Sequence, residues 1–197
     1  MCTGKIHNKS AVAAGLLRVF LMAAILFCSK AGFCQNSSIS TNGIEWLTLG
    51  TINAQVGVPV SRHVSVHLQA SYNPFSIGKS SSPVIFRRAE IQLNGRYWPW
   101  FVNSGWYLYG GADWCKFSYG GITSKSSYEG YAYGLKAGGG YALLLTKRLN
   151  LEMGAGLFLG LADYTKYQCT RCGDPVLKRK KFIVSPADFV LGVSFLF

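Results

Sequence analysis

Residues 148–164 read RLNLEMGAGLFLGLADY, with an apolar side chain at every second position: Leu149, Leu151, Met153, Ala155, Leu157, Leu159 and Leu161. A period of two is the mark of a β-strand, whose successive side chains point to opposite faces. The other face reads Asn150, Glu152, Gly154, Gly156, Phe158, Gly160 and Ala162. It lacks the Lys and Glu of a solvated sheet surface, and it is too small and too polar for the second layer of a sandwich. Small residues around a carboxylate fit the inside of a narrow barrel. The leucines then point outward, toward lipid, and lipid tolerates strands only where the sheet closes and leaves no backbone edge unpaired.

The alternation recurs along the chain. Residues 63–72, HVSVHLQASY, set Val64, Val66, Leu68, Ala70 and Tyr72 against His63, Ser65, His67, Gln69 and Ser71. Residues 88–98 set Ala89, Ile91, Leu93 and Tyr97 against Arg88, Glu90, Gln92, Asn94 and Arg96. Further on, Tyr131, Tyr133, Leu135, Ala137, Tyr141 and Leu143 oppose a glycine-rich face with Lys136. At the end, Phe189, Leu191, Val193, Phe195 and Phe197 oppose Asp188, Gly192 and Ser194. The charges of the small face, Arg88, Glu90, Arg96, Lys136, Glu152 and Asp188, have both signs and are expected to pair within the lumen. No segment shows a sustained helical period.

Turn-forming residues set the order of the strands. Short connections are expected near residues 59–62, 101–104 and 145–147, and longer polar ones over 73–83, 118–127 and 164–178. Short turns face the periplasm in outer-membrane barrels and long loops face outside, so the last strand runs inward and ends at Phe197. An even strand number requires residues 41–60 to be divided at Gly50 and Thr51, into strands near 41–49 and 52–60. The expectation is an all-β, eight-stranded antiparallel up-and-down transmembrane barrel. Trp98, Trp100, Phe101 and Trp106 at one end, and Tyr72, Phe75, Phe117, Tyr119 and Tyr128 at the other, would form two interfacial girdles.

Residues 1–34 have the layout of a secretory signal peptide: Lys5, Lys9 and Arg18, then an apolar run over 19–28 too short to span a bilayer as a helix. Residues 35–40 would be a short N-terminal segment and 41–197 the barrel domain. The leader takes four basic residues and no acids, so the mature part carries 16 Lys and Arg against eight Asp and Glu. A basic exported chain meets anionic lipid before nucleic acid, and its basic residues are scattered except at Lys178, Arg179, Lys180 and Lys181. That cluster precedes the last strand on the outward side, where it is expected to contact lipopolysaccharide phosphate.

At this point NAQVGVPVSRHVSVHLQASYNPF, GRYWPW, YEGYAYGLKAGGGYALLLTKRLNLEMGAGLFLGLADYTKYQCTRCG and the closing SFLF resemble the DUF3575 family, over roughly residues 42–197. The resemblance implies a small outer-membrane barrel of Bacteroides-type bacteria, and it implies no reaction.

Candidate chemistry is sparse. His63, Ser65 and His67 share a face and suggest a nucleophile with its base, as in an outer-membrane lipid-modifying enzyme. That face is luminal, beside a periplasmic turn and far from outer-leaflet lipid, so a hydrogen-bonded interior is expected and no catalytic role. Cys169 and Cys172 have the spacing of half a zinc site, a redox motif or a local disulfide. The loop has no histidine to complete a zinc site and no helix to stabilise a thiolate, so a disulfide is expected, with Cys115 left free. No cofactor or metal is expected. The partners would be outer-membrane lipid, lipopolysaccharide, the barrel-assembly machinery during biogenesis and an unknown surface protein. An eight-stranded interior is filled by side chains, so a structural or surface-interaction role is favoured over a narrow transport pore.

Overall fold

The computed structural model describes residues 37–48, 50–77, 84–121, 126–168 and 175–197. The expected leader, and Cys169 with Cys172, lie outside the described residues. The strands are β1 (Ser38–Asn42), β2 (Ile52–Pro59), β3 (Val64–Asn73), β4 (Ser76–Ile77), β5 (Val84–Tyr97), β6 (Gly105–Gly120), β7 (Ser127–Thr146), β8 (Leu149–Tyr167) and β9 (Pro175–Leu196); one short helix, α1 (Gly43–Leu47), follows β1. Every pairing is antiparallel between neighbours, and β1 joins β2 on one side and β9 on the other. The result is a closed eight-stranded antiparallel barrel, with β4 a short arm paired only to β5.

Register makes the two faces explicit. Lys180, Asp163, Tyr131, Lys116, Ala89 and Tyr72 form one cross-strand row from β9 to β3. Two positions along each strand, the next row is Phe182, Leu161, Tyr133, Trp114, Ile91 and Ala70. These rows face outward. Leu108 and Leu135 are each 63% exposed, whereas Gln92 on the opposite face is 2% exposed. The barrel is therefore inside-out relative to a soluble protein: its polar residues are buried and its large apolar ones cover the outside.

Inward glycines let the barrel be this narrow. A Cβ at Gly156 would run into the Tyr109 hydroxyl, and one at Gly140 would meet the Met153 carbonyl and Tyr107. Outward Gly95 and Gly110, by contrast, have only a backbone oxygen in ordinary contact.

Four expectations need correction. The first strand was expected over 41–49, but it occupies Ser38–Asn42, beginning inside the expected N-terminal segment, and the chain then turns into α1. The cause is local. Asn42 caps α1, its side chain accepting from Ile44 N at 3.2 Å, and the same amide accepts from Leu191 N at 3.2 Å and donates to Phe189 O at 3.0 Å. Asn53 Nδ2 donates to Asn42 O at 2.9 Å and its Oδ1 accepts from Asn42 N. Two side-chain amides thus take over the ladder where β1 stops.

Second, the last long connection, expected over 164–178, is shorter, because β8 continues to Tyr167 and β9 already begins at Pro175. Third, Trp98 belongs to no girdle. It is fully buried against Tyr107, with ring centroids 4.8 Å apart, while Trp100, Phe101 and Trp106 do lie exposed. Fourth, Phe117, Tyr119 and Tyr128 take the inward parity, Phe117 stacking on Tyr119 at 5.3 Å, so of the five aromatics expected at that end Tyr72 and Phe75 are the exposed ones. Phe117 and Tyr119 share their parity with buried Asp113 and Cys115, and it is parity along the strand, not proximity to a loop, that decides which face an aromatic takes.

Candidate functional site

The lumen holds two charge clusters. In the first, Lys136 Nζ on β7 lies 2.5 Å from Glu90 Oε1, 2.7 Å from Asp188 Oδ1 and 3.6 Å from Asp113 Oδ1. Arg88 pairs with the second oxygen of Glu90. Gln92 Nε2 donates to Asp188 at 2.8 Å and to Glu90 at 3.2 Å, tying the carboxylates of β5 and β9 across the lumen. Asp188 reaches this point because its backbone is left-handed, φ 53°, at the bulge where β9 carries an extra residue against β8.

In the second cluster Arg96 Nη1 donates to Glu152 Oε2 at 2.8 Å and Nη2 to Gln55 Oε1 at 3.0 Å. The guanidinium stacks over Tyr107, 4.6 Å from its ring centroid. Burying such charges is tolerable only because each finds an opposite charge and further hydrogen bonds. The six charged residues singled out in the sequence therefore all face the lumen, divided into a group of four and a pair.

Beside the Arg96 pair Trp98, Tyr107, Tyr109 and Ala142 pack as a buried cluster in the lumen, and the Tyr109 hydroxyl donates to Asp188 Oδ2 at 3.3 Å. Trp98 Nε1 donates to Ser65 Oγ at 2.8 Å, and Ser65 Oγ is hydrogen-bonded to His67 Nε2 at 2.9 Å. Ser65 and His67 are each 1% exposed. The Ser–His pair is thus part of the packed interior, its hydroxyl taken by two neighbours. His63 is separate, its Nδ1 hydrogen-bonded to the Trp98 carbonyl at 3.0 Å. Between Asn42, Gln55, Gln69 and Glu152 there is a cavity of about 10 Å³, which holds about one water.

Asp113, Tyr107 and Tyr109 were not recognised as luminal from the sequence. In GWYLYGGADWCKFSYG aromatic residues fall on both faces, so hydropathy contrast vanishes. The signal that does find them is parity: Trp106, Leu108, Ala112 and Trp114 share a face, which sends Tyr107, Tyr109 and Asp113 inward.

The outer surface carries the remaining charge. Lys178, Arg179, Lys180 and Lys181 are all exposed but lie within β9, not in a loop. Register places Lys178 and Lys180 in outward rows with Thr165 and Asp163, and Arg179 and Lys181 on the opposite face with Tyr164 and Ala162. Lys180 lies 3.7 Å from Asp163. A second basic group stands on the other side of the barrel. Arg87 on β5 and Lys116 on β6 each sit one outward position above an apolar side chain of their strand, Ala89 and Trp114, with Ile85 one outward position further along β5. With Tyr72, Asn73, Pro74 and Glu129 they line a groove of about 380 Å³. Among the described residues Cys115 is a buried free thiol, and no group of three His, Cys, Asp or Glu is placed to hold a metal ion.

A closed narrow barrel with glycine-lined strands is the arrangement expected of the family suggested by the sequence motifs, and the family profile matches residues 18–197. The chain belongs to the DUF3575 family. That family is described as proteins of unknown function, so membership gives the DUF3575 chain a lineage without a reaction. No curated protein matches it.

Proposed function

We propose that this DUF3575 protein is an outer-membrane barrel with a structural or surface-interaction role, exported by its leader and carrying no chemistry of its own. One observation carries the reading: an outward face of exposed Leu, Val, Ile and Trp encloses a buried, ion-paired interior. Water would penalise that outer face and lipid would not. The packed Trp98–Tyr107–Tyr109 layer supports a closed lumen in preference to a pore.

In this reading Lys178 and Lys180 contact lipopolysaccharide phosphates on the outward side, and Arg179 and Lys181 hold the rim of the extended β9. Membrane fractionation followed by gel migration with and without boiling tests the assignment. The expected result is an outer-membrane protein that shifts on heating, has a β circular dichroism spectrum and gives no steady openings in planar bilayers. A soluble fraction or a helical spectrum would remove the membrane role, and steady large conductance would replace the closed barrel with a transport pore.

A further inference from the structure

We propose that the outward groove between Arg87 and Lys116 is a binding site for the phosphate-bearing headgroup of lipopolysaccharide, a site separate from the β9 cluster. This inference rests on the outer-membrane reading and adds a defined location to it.

Three observations converge on the groove. The first is direction. Lys116 shares its row with Ala89, Tyr131 and Tyr72, and Arg87 shares the row above with Ser118 and Glu129, so both cations point away from the lumen. Arg88, between Arg87 and Ala89, points inward and is consumed by Glu90. The second is level. Below Arg87 run the apolar positions Ala89, Ile91 and Leu93 of β5, and below Lys116 stands Trp114 of β6. Beyond Lys116 the outward positions of β6 are Ser118 and Gly120, while on β5 Ile85 follows Arg87, so the two cations stand where the outward face passes from continuous apolar side chains to mixed ones, the level at which acyl chains give way to headgroups.

The third observation is availability. Among the described residues neither Arg87 nor Lys116 has an ion-pair partner, whereas Lys180 already neighbours Asp163. Lys116 Nζ instead lies over the Tyr131 ring, 5.5 Å from its centroid, which holds the ammonium at the groove edge.

The groove's chemistry narrows the occupant. A guanidinium and an ammonium on adjacent strands receive a phosphate from two sides, the guanidinium through parallel N–H donors. Glu129 stands across Ser118 from Arg87 and would repel a second phosphate, but it accepts hydrogen bonds from sugar hydroxyls. A phosphorylated sugar with acyl chains meets all three conditions: phosphate at Arg87 and Lys116, hydroxyls toward Glu129, and chains down the face of Ile91, Leu93 and Trp114.

The test uses full-length protein extracted from native outer membranes in mild detergent, with lipopolysaccharide per barrel quantified by mass spectrometry. Basic groups at an anionic surface each contribute about fivefold in affinity, so R87Q/K116Q should retain at least tenfold less lipid than wild type. Ala89→Glu, which sets a carboxylate between the two cations, should show the same loss without touching either one. K178Q/K180Q should leave the lipid of this groove in place and reduce the total by a smaller factor. Equal lipopolysaccharide on wild type and on either groove variant, with heat-modifiable migration intact, overturns the site and leaves the barrel in its membrane. Wild-type protein absent from the outer membrane overturns both readings. Inorganic phosphate added to the wild type should leave the lipid bound, because the acyl chains hold it as well; release by phosphate alone would make this a free-anion site and overturn the lipid assignment.

Discussion

Removing the carboxylate of Glu152 is the sharpest perturbation of the interior. Glu152 and Arg96 have side-chain exposures of 3% and 5% and meet at 2.8 Å, so neither can turn to water when the other is lost. With charge centres about 4 Å apart and an effective dielectric of about 20, their attraction is about 4 kcal/mol. Measured losses on breaking one side of a buried pair run at about 3–5 kcal/mol, because the surviving charge stays buried and unpaired. Glu152→Leu should therefore destabilise the barrel by about 3–5 kcal/mol although it adds apolar volume. Gln55 and the Tyr107 ring remain beside Arg96 and favour the lower end of that range. Replacing both partners, as R96M/E152L, removes the buried charge altogether and should restore most of the loss. Leu151→Ala, one position along but facing outward, should cost well under half as much. Equilibrium unfolding in detergent micelles measures these three variants, with the single variant R96M added to complete the double-mutant cycle. If Glu152→Leu were no worse than Leu151→Ala, or if the double variant simply summed the single losses, the buried pair would not hold the wall together as described.

Four further outcomes follow from the same geometry. Leu135→Arg places a charge in the middle of the outward apolar face and should cost about 2–4 kcal/mol, read as folding free energy in lipid vesicles. Gly156→Ala should cost about 1–3 kcal/mol through collision with Tyr109, whereas Gly95→Ala should change stability by less than about 0.5 kcal/mol, both read by urea titration. Asn42→Ala removes the α1 cap and the amide bonds to Phe189 and Leu191, and should lower stability by about 1–2 kcal/mol, with faster amide exchange confined to α1 and the adjoining part of β9. Alkylation of protein unfolded without reductant should mark Cys115 alone, leaving Cys169 and Cys172 protected as a disulfide; label on Cys172 would contradict the pairing.

How much of this was legible depended on contrast between the two faces of each strand. In β8 and β5 an apolar residue alternates with Gly, Asn, Gln, Glu or Arg, and parity alone assigned the lumen side of Glu90, Arg96 and Glu152. In β6 both faces are aromatic, and the inward turn of Tyr107, Tyr109 and Asp113 was missed although parity carried it. The first hairpin failed for another reason. Residues 41–49 contain enough apolar positions to read as a strand, but Asn42 offers its side chain to the helix and to β9 at once, and a side-chain amide competing with the backbone leaves no periodic trace. The bulge that aims Asp188 at Lys136 depends on a left-handed backbone at a non-glycine residue, which composition does not announce. The charge cluster was legible as a membership list, while its division into Lys136 with its carboxylates and Arg96 with Glu152 needed the register of all the intervening strands.

The central claim is that one face of every strand meets acyl chains and the other meets the protein's own interior. Photolabelling in vesicles with a lipid that carries a diazirine in its acyl chain, followed by peptide mass spectrometry along β8, tests this without altering a residue. The account predicts label on Leu157, Leu159 and Leu161 and none on Phe158 or Ala162; label on Phe158 and Ala162, or a uniform pattern along the strand, would contradict it.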